Sequence, residues 1–247
     1  ILITRNEEAN LDDCLASLEG IAQQIVVVDT NSSDRTLEIA QKYGATISQP
    51  PDWPGFGPQK NRALDLATGE WVLSLDADER LTPALKSEIL TAIHHSAHVN
   101  CFAIPRLSWY CGRFIRHSGW SPDYVDRLFK RGTARFSDDL VHERLMPNGQ
   151  VAKLENPMLH YSFMSYSQVL QKLDRYSTAS AEQAFAKGKT SDPLKAVLHG
   201  AWAFFRTYIL RAGFMDGPQG FALAVSNGQG TYYRYIKLWH LNQEAGK

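Results

Sequence analysis

Over the first hundred residues, short apolar runs alternate with segments whose apolar positions recur at helical spacing. One of these runs is a continuous β-branched stretch, which is typical of a strand that is covered on both faces. We predict strands at ILIT (1–4), IVVVD (25–29), ATIS (45–48) and WVLSLDAD (71–78). Because the first run is already strand-like at Ile1, we expect a few residues to precede it in the natural protein.

Helices are predicted between these runs. The apolar residues of the segment 11–18 recur every three or four positions, and Asn10 is placed to cap that helix. Further helices are predicted over 34–43 and 60–68, and Pro83 is typical of the first turn of a fourth. Strands that alternate with helices predict an α/β protein, with a mostly parallel sheet and helices on both of its faces.

Polar clusters follow three of the predicted strands. In parallel sheets ligands bind beyond the carboxyl ends of the strands, so we expect these clusters to lie close together. They are Thr4 to Glu7, Asp29 to Asp34, and Asp76 with Asp78. Carboxylates gathered in this way would repel one another unless a cation or a donor-rich ligand lay among them. The alternative is that Asp34 and Asp76 only cap turns or helices.

The spacing of Asp76 and Asp78 suggests which cation this would be. Strand alternation directs both carboxylates to the same side, provided that the strand continues through them. Two carboxylates with few other protein ligands suit a hard divalent ion that also holds substrate phosphates.

Composition and charge add a second division of the chain. The 247 residues are 44% hydrophobic, and 26 basic residues balance 26 acidic ones, so no overall field favours nucleic acid. Residues 160–247 carry 10 basic and 5 acidic residues, whereas residues 1–159 carry 16 basic and 21 acidic ones. This contrast indicates that the two parts of the chain have different roles. The three cysteines match neither a disulfide framework nor a paired metal motif, so we expect a reducing, cytoplasmic compartment.

Four motifs in the first 82 residues resemble those of the family 2 glycosyltransferases, in the same order. They are ITRNEEANL, VVVDTNSSDRT, GPQKNRAL and LSLDADER. Further on, GWSPDYVDRLFKRG, VHERL and RAGFMDGPQGF resemble bacterial lipopolysaccharide inner-core β-glucosyltransferases. The resemblance implies a GT-A (Rossmann-like) fold. It also implies an inverting, metal-dependent enzyme that transfers a sugar, here glucose, from a UDP-sugar to a lipid-anchored saccharide such as core heptose.

The resemblance also implies roles for residues on the donor side. Thr4, Asn6 and Glu7 would line the uridine pocket, and Asp29 would accept a hydrogen bond from the uracil edge. Asp76 would lie near the ribose and the metal. Asp78 would be the direct ligand of Mg²⁺ or Mn²⁺. Lys60 would add a second positive contact to the donor, although a solvated lysine at a helix start fits the pattern equally well.

On the acceptor side, inversion requires a carboxylate that takes the proton of the attacking hydroxyl. Glu143 in VHERL falls where the family places this base, with Asp138, Asp139 and Asp123 as rivals. Trp120, Asp123 and His142 are the further candidates for the acceptor side, where Trp120 could equally be a core residue and His142 a structural one. The alternating segment VDRLFKR (125–131) is typical of an edge strand, which predicts that Arg127 and Arg131 are exposed.

The C-terminal segment has a different character. We divide the chain into a catalytic domain over 1–160, with nucleotide-sugar binding in roughly 1–100 and the acceptor side in roughly 101–160, and a helical extension over 161–247. Between His199 and His240 ten aromatic residues are mixed with arginine and lysine, as in helices that lie in a membrane interface. The alternative is that these aromatic residues pack within the protein or against a second subunit.

The leading interpretation places the protein on the cytoplasmic face of the bacterial inner membrane, bound to anionic lipid through the C-terminal helices. A second interpretation keeps the fold but transfers the sugar to polyprenyl phosphate or to a peptide. A third makes the chain a non-catalytic nucleotide-sugar-binding protein, against which the intact Asp76 and Asp78 argue.

Overall fold

In the computed structural model of the chain, residues 1–96, 98–138 and 143–246 are described. The chain forms two compact units. The first contains Ile1–Arg106 and Asp123–His160, and the second contains Leu107–Pro122 and Tyr161–Lys247. The segment 107–122, which the sequence analysis placed on the acceptor side, therefore belongs to the second unit.

The first unit begins with alternating strands and helices. Their bounds are β1 Leu2–Thr4, α1 Glu8–Ala16, β2 Val26–Asp29, α2 Thr36–Lys42, β3 Thr46–Ser48, α3 Phe56–Asp65, β4 Trp71–Leu73, β5 Glu79–Arg80 and α4 Pro83–His94. Strands β1, β2 and β3 form a parallel sheet in that order, with Thr4 beside Asp29. All four residues of β2 are buried, as expected for a strand that is covered on both faces.

The remaining strands form a larger sheet and a hairpin. They are β6 Val99–Tyr110, β7 Arg113–Phe114, β8 Asp123–Lys130, β9 Ala134–Phe136, β10 Leu145–Pro147, β11 Gln150–Lys153 and β12 Met158–Phe163. The sheet has the order β4–β8–β6–β12–β5, with β7 and β11 also paired to β6, whereas β9 and β10 pair with each other. Strand β8 is antiparallel to both of its neighbours, so parallel pairing is concentrated in the first part of the chain.

Three local predictions need correction. Helix α1 begins at Glu8, so Asn10 lies inside the helix and is not its cap. Helix α3 begins at Phe56, four residues before the predicted start. Strand β4 ends at Leu73, and the chain turns at Ala77 and Asp78. Strand alternation therefore does not orient Asp76 and Asp78.

A fourth correction concerns the segment 125–131. Strand β8 lies between β4 and β6 and is not at an edge, and Arg127 is only 6% exposed. Arg131, just beyond the strand, is exposed as predicted.

The second unit consists mainly of helices. They are α5 Tyr166–Ala186, α6 Pro193–Phe205, a π-helical turn Arg206–Leu210, a 3₁₀ turn Gly213–Asp216 and α7 Gly217–Ala245. Helices α6 and α7 approach closely at two glycines, since a Cβ built on Gly200 would lie 3.1 Å from the Gly228 carbonyl oxygen. The buried Asp216 carboxylate accepts hydrogen bonds from the Arg116 and His117 amides and from Ser118 Oγ, which anchors the 107–122 segment to the helices.

Apolar side chains remain exposed along α6 and the turn that follows it. Leu194 is 68% exposed, Leu198 60%, Trp202 52% and Leu210 59%. Among the residues that the structure describes, no helix is both long and apolar enough to span a bilayer.

Candidate active site

The loops that follow β1 and β2 are joined by a dense hydrogen-bond network. The Asn6 amide donates to Ser32 Oγ at 2.8 Å, and the Ser33 amide donates to Asn6 Oδ1 at 2.8 Å. The Glu7 amide donates to Thr36 Oγ1 at 2.8 Å. Asn6 has a φ of +56°, a left-handed conformation that asparagine adopts more readily than most residues. The first two predicted polar clusters therefore form one structured surface.

Asp29 connects the two loops beneath this surface through hydrogen bonds. It is completely buried, and its Oδ2 accepts a hydrogen bond from Thr4 Oγ1 at 2.9 Å while its Oδ1 accepts one from the Ser32 amide at 2.9 Å. Both carboxylate oxygens thus already take part in the network. Thr4 is likewise buried. The predicted roles of Thr4 and Asp29 in uridine binding remain predictions, and their observed contacts hold the two loops in position.

The third polar cluster, Asp76 with Asp78, interacts electrostatically with Glu7 of the first. Burial raises the pKa of the Glu7 carboxyl, and repulsion from Asp78, Asp34 and Asp76 raises it further, whereas a hydrogen bond from Asn10 opposes the shift. Carboxylates from three separated stretches of sequence therefore lie within electrostatic range of one another. The expected convergence is observed, although it does not arise from the alternation of a strand.

Asp76 is held between two buried cations. Lys60 Nζ lies 3.0 Å from Asp76 Oδ1, and the Arg127 guanidinium donates to Asp76 Oδ2. Burial works against ionisation here, but Arg127 and Lys60 prevail and hold the pKa of Asp76 well below its usual range. Arg127 also donates to Glu79 Oε1 at 2.7 Å, and Glu79 is completely buried. The LDAD segment is therefore fixed by an ion-pair network of two cations and two carboxylates.

Lys60 extends this network to the predicted base. Its Nζ lies 3.0 Å from Glu143 Oε1, across 83 residues of sequence, and only 6% of the lysine side chain is exposed. The alternative of a solvated Lys60 is thus wrong. Glycine at position 57 permits this arrangement, because a Cβ there would lie 1.8 Å from the Ser137 carbonyl oxygen. The close approach at Gly57 thus places α3 against Ser137, and the same Cβ would lie 3.4 Å from Glu143 Cβ.

Asp78 faces His160, a residue that the sequence analysis did not single out. Asp78 Oδ2 and His160 Nε2 are 3.4 Å apart, and both side chains are partly exposed. Among the described residues, no group of three or more histidine, cysteine or acidic side chains could enclose a metal ion. One oxygen and one imidazole nitrogen at this separation fit a divalent ion that takes its other ligands from a bound phosphate and from water.

The acceptor-side candidates fall in different places. Asp123 pairs with Arg106, whose Nη2 lies 2.6 Å from Asp123 Oδ2 in the first unit. Trp120 belongs to the second unit and packs against Tyr110 and Phe163. Of the rivals to Glu143, Asp138 is exposed. His142 and Asp139 lie outside the described residues.

Three residues of the site were missed by sequence reasoning: Arg127, Glu79 and His160. The alternation around Arg127 was interpreted as that of an edge strand, and nothing local reveals that β8 is central. Glu79 adjoins the LDAD motif, and the sequence feature that could have identified it is an acidic residue directly after a predicted strand. His160 is an isolated histidine 82 residues from Asp78, and no local pattern links the two.

Residues 1–148 match the family model described as glycosyl transferase family 2. The lipopolysaccharide core biosynthesis glycosyltransferase LpsC of Rhizobium meliloti (strain 1021) is 30% identical, over 96% of this chain and 90% of LpsC. An uncharacterized glycosyltransferase of Rickettsia typhi is 28% identical, over 99% of this chain and 87% of its own length.

Among solved structures, S. aureus TarS in complex with UDP is similar with a TM-score of 0.50 and 17% identity. The similarity covers 99% of this chain and 90% of the TarS chain. This likeness confirms the predicted GT-A fold class together with a helical C-terminal part.

Proposed function

The chain belongs to glycosyl transferase family 2, and we propose that it is an inverting enzyme that moves a sugar from a UDP-sugar to a lipid-anchored saccharide. The observation that carries this proposal is Lys60, whose Nζ lies 3.0 Å from both Asp76 Oδ1 and Glu143 Oε1. This one side chain links the LDAD motif to the predicted base. Donor-side and acceptor-side groups of a transferase must lie together in this way, because the hydroxyl attacks the same carbon that the diphosphate leaves.

On the donor side, the network of Thr4, Asn6, Glu7 and Asp29 forms the nucleotide pocket, with Asp76 next to the ribose. UDP as the nucleotide is supported by the family and, at the level of fold, by TarS, which binds UDP. Glucose as the transferred sugar rests on the resemblance of the later motifs to the core glucosyltransferases.

Glu143 is the proposed base. Lys60 engages its Oε1 and fixes the side chain, and the other carboxylate oxygen takes the proton of the acceptor hydroxyl as that hydroxyl attacks. Attack from the face opposite the diphosphate inverts the sugar carbon. Trp120, Asp123 and His142 are the further proposed contacts of the acceptor.

Asp78 and His160 are the residues that would hold a divalent ion, Mg²⁺ or Mn²⁺. Such an ion neutralises the charge on the departing diphosphate without any proton transfer. Lys60 and Arg127 already neutralise Asp76, so Asp78 is the carboxylate of the motif that remains for an ion.

The acceptor and the place of action are supported by LpsC, which is named for lipopolysaccharide core biosynthesis, and by the surface of α6. Leu194, Leu198 and Trp202 follow one another at four-residue spacing and are all more than half exposed. No acidic residue occurs from 193 to 215, whereas Lys195, Arg206 and Arg211 do. Cationic, aromatic helices of this kind bind the interface of anionic membranes.

The experiment that tests the donor assignment is calorimetric titration of the full chain with UDP, with and without Mg²⁺ or Mn²⁺. We expect binding that strengthens with the ion, followed by UDP release from UDP-glucose when a heptose-terminated glycolipid is added. Binding of UDP without any transfer would favour the non-catalytic interpretation. Failure to bind UDP with either ion would contradict the donor and metal assignments.

A matched pair of variants tests the membrane assignment. Leu198→Gln together with Trp202→Gln should lower binding to vesicles that contain phosphatidylglycerol by about tenfold or more, because both side chains would insert into the interface. Leu170→Gln on α5 is the control, since Leu170 is also 57% exposed but lies outside the α6 surface. Equal vesicle binding of all these proteins would contradict the proposal.

A further inference from the structure

The second unit contains a cavity of about 290 Å³ that is lined by none of the donor-side residues or Glu143. It opens between α5 and α7, and the aromatic rings of Tyr110, Trp120 and Phe163 form one of its walls. These rings contact one another edge-on or at a tilt, with centroids about 6 Å apart. A mostly apolar cavity of this size, with a few polar groups directed into it, is near the lower end of small-molecule sites.

Two cations line this cavity. Lys172 on α5 places its Nζ 4.5 Å from the centre of the Phe163 ring, and Arg234 on α7 also lines the cavity. Neither has an ion-pair partner within the described parts of the chain, and no lining residue is acidic. Lys237, which connects the same two helices, pairs with Asp174 at 2.6 Å. The helices therefore neutralise a cation outside the cavity and leave two positive charges at it.

The cavity also offers hydrogen-bonding groups beside the aromatic wall. The Ser180 and Thr231 hydroxyls line it, and neither has a hydrogen-bond partner among the residues for which contacts are described. Tyr110 and Ser226, which also line the cavity, share a hydrogen bond of 2.9 Å. Hydroxyl groups can donate and accept, so this wall can bind a ligand that is itself rich in hydroxyls.

We propose that this cavity binds a saccharide that carries a phosphate group. The apolar face of a sugar ring would lie on the aromatic wall, its hydroxyls would bond to Ser180 and Thr231, and its phosphate would lie between Lys172 and Arg234. Charge-assisted hydrogen bonds from lysine and arginine are the contacts that phosphates favour. The inference goes beyond the proposed function. Trp120 is also a proposed contact of the acceptor, but no donor-side residue lines the cavity, and the inference rests on the cavity's own lining.

The test is titration of the full chain, saturated with UDP, with hexose 6-phosphates, hexose 1-phosphates, the neutral hexoses and inorganic phosphate. We expect at least one sugar phosphate to bind about tenfold or more tightly than both its parent hexose and inorganic phosphate. If inorganic phosphate binds as tightly as every sugar phosphate, the cavity is only an anion site. If no sugar phosphate binds, the proposal is equally wrong. Neither outcome affects UDP binding, which tests the donor site separately.

Two kinds of variant assign the binding to this cavity. Lys172→Gln together with Arg234→Gln should weaken sugar-phosphate binding about tenfold or more. Arg175→Gln should not, because Arg175 is exposed on α5 and does not line the cavity. Gly230→Met should block the cavity, whereas Gly230→Ala should be tolerated, because a Cβ there meets only Leu173 at 3.5 Å. Sugar-phosphate binding that survives both the charge variant and Gly230→Met would overturn the proposal. Vesicles of phosphatidylglycerol that compete fully with the sugar phosphate would overturn it too, since the ligand would then be a lipid headgroup.

Discussion

Replacing Arg127 by methionine should leave a buried carboxylate without its main cation. Arg127 Nη2 lies 2.7 Å from Glu79 Oε1, with 7% of the arginine side chain and none of the glutamate exposed. The next cation, Arg106, is 3.8 Å from the same oxygen. Methionine fills much of the space of the arginine but carries no charge, so the variant isolates the electrostatic loss.

The expected loss follows from the burial of this pair. Removing one partner of a buried ion pair costs about 3–5 kcal/mol, because the remaining charge is left desolvated. For a protein of this size about 1 kcal/mol corresponds to about 2–4 °C in Tm, so the Tm should fall by about 6–20 °C. Arg127→Met with Glu79→Gln should recover a large part of this loss. Glutamine is neutral and can still accept the hydrogen bond that the Asp76 amide donates to Glu79 at 3.0 Å.

The loss should also depend on pH in a defined direction. Burial raises the pKa of Glu79, and Arg127 opposes that shift. Without Arg127 the folded-state pKa rises further above the unfolded value, so the folded variant binds a proton more readily than its unfolded chain does. Stability of the variant relative to the parent should therefore increase as the pH falls from 7 toward 5, and decrease as it rises again.

Thermal unfolding followed by circular dichroism, at pH 7 and pH 5, measures these effects. The control is Arg135→Met, which breaks the 2.8 Å pair with Asp65 where both side chains are 59% exposed, and should cost no more than about 1 kcal/mol. The reasoning is refuted if Arg127→Met lowers the Tm no more than Arg135→Met does. It is refuted equally if the Glu79→Gln change adds to the loss instead of reducing it.

Three further predictions concern the site. Glu143→Gln should lower kcat about 10²–10⁴-fold with unchanged UDP affinity, whereas the control Asp138→Asn should not lower kcat. A nearly unaffected kcat of Glu143→Gln would instead indicate a phosphate acceptor, which needs less help from a base. Asp78→Asn should weaken ion-dependent UDP binding by at least ~10–100-fold, which is the cost of losing a supporting group at a metal site, and should leave the Tm unchanged. If variant and parent gave equal calorimetric titrations at saturating Mn²⁺, Asp78 would be excluded as a ligand. Gly57→Ala should displace Ser137 and Glu143, because its Cβ would lie 1.8 Å from the Ser137 carbonyl oxygen and 3.4 Å from Glu143 Cβ, and it should lower kcat about 100-fold in the same assay. Activity equal to that of the parent would show that the close approach is not needed.

Much of the donor half could be predicted from the sequence because its signals are local. The β-branched run of β2 is buried throughout, and α4 begins at Pro83 behind Thr82, whose hydroxyl accepts from the Leu85 amide at 3.1 Å. The order of the motifs led to the family, which the match over residues 1–148 shows. A strand's burial and a helix's first turn depend on neighbouring residues, so composition and spacing alone reveal them.

Strand neighbours and ion-pair partners could not be predicted in this way. The alternation of 125–131 is the same for an edge strand and for a central one, and only pairing with β4 and β6 buries Arg127. Likewise, the approach of Asp76 and Asp78 to Glu7 depends on a strand that ends at Leu73 and on a turn at Ala77 and Asp78, where a longer strand was expected.

The sequence by itself determined the α/β class, the family and the acids that gather beyond the strands. The tertiary structure alone decided which side chains those acids meet: Lys60 and Arg127 for Asp76, and His160 for Asp78. It also decided that Lys60 reaches Glu143 across 83 residues. Contacts at such separations arise when buried surfaces pack, and the free energy of a charge then depends on what has been brought next to it out of water.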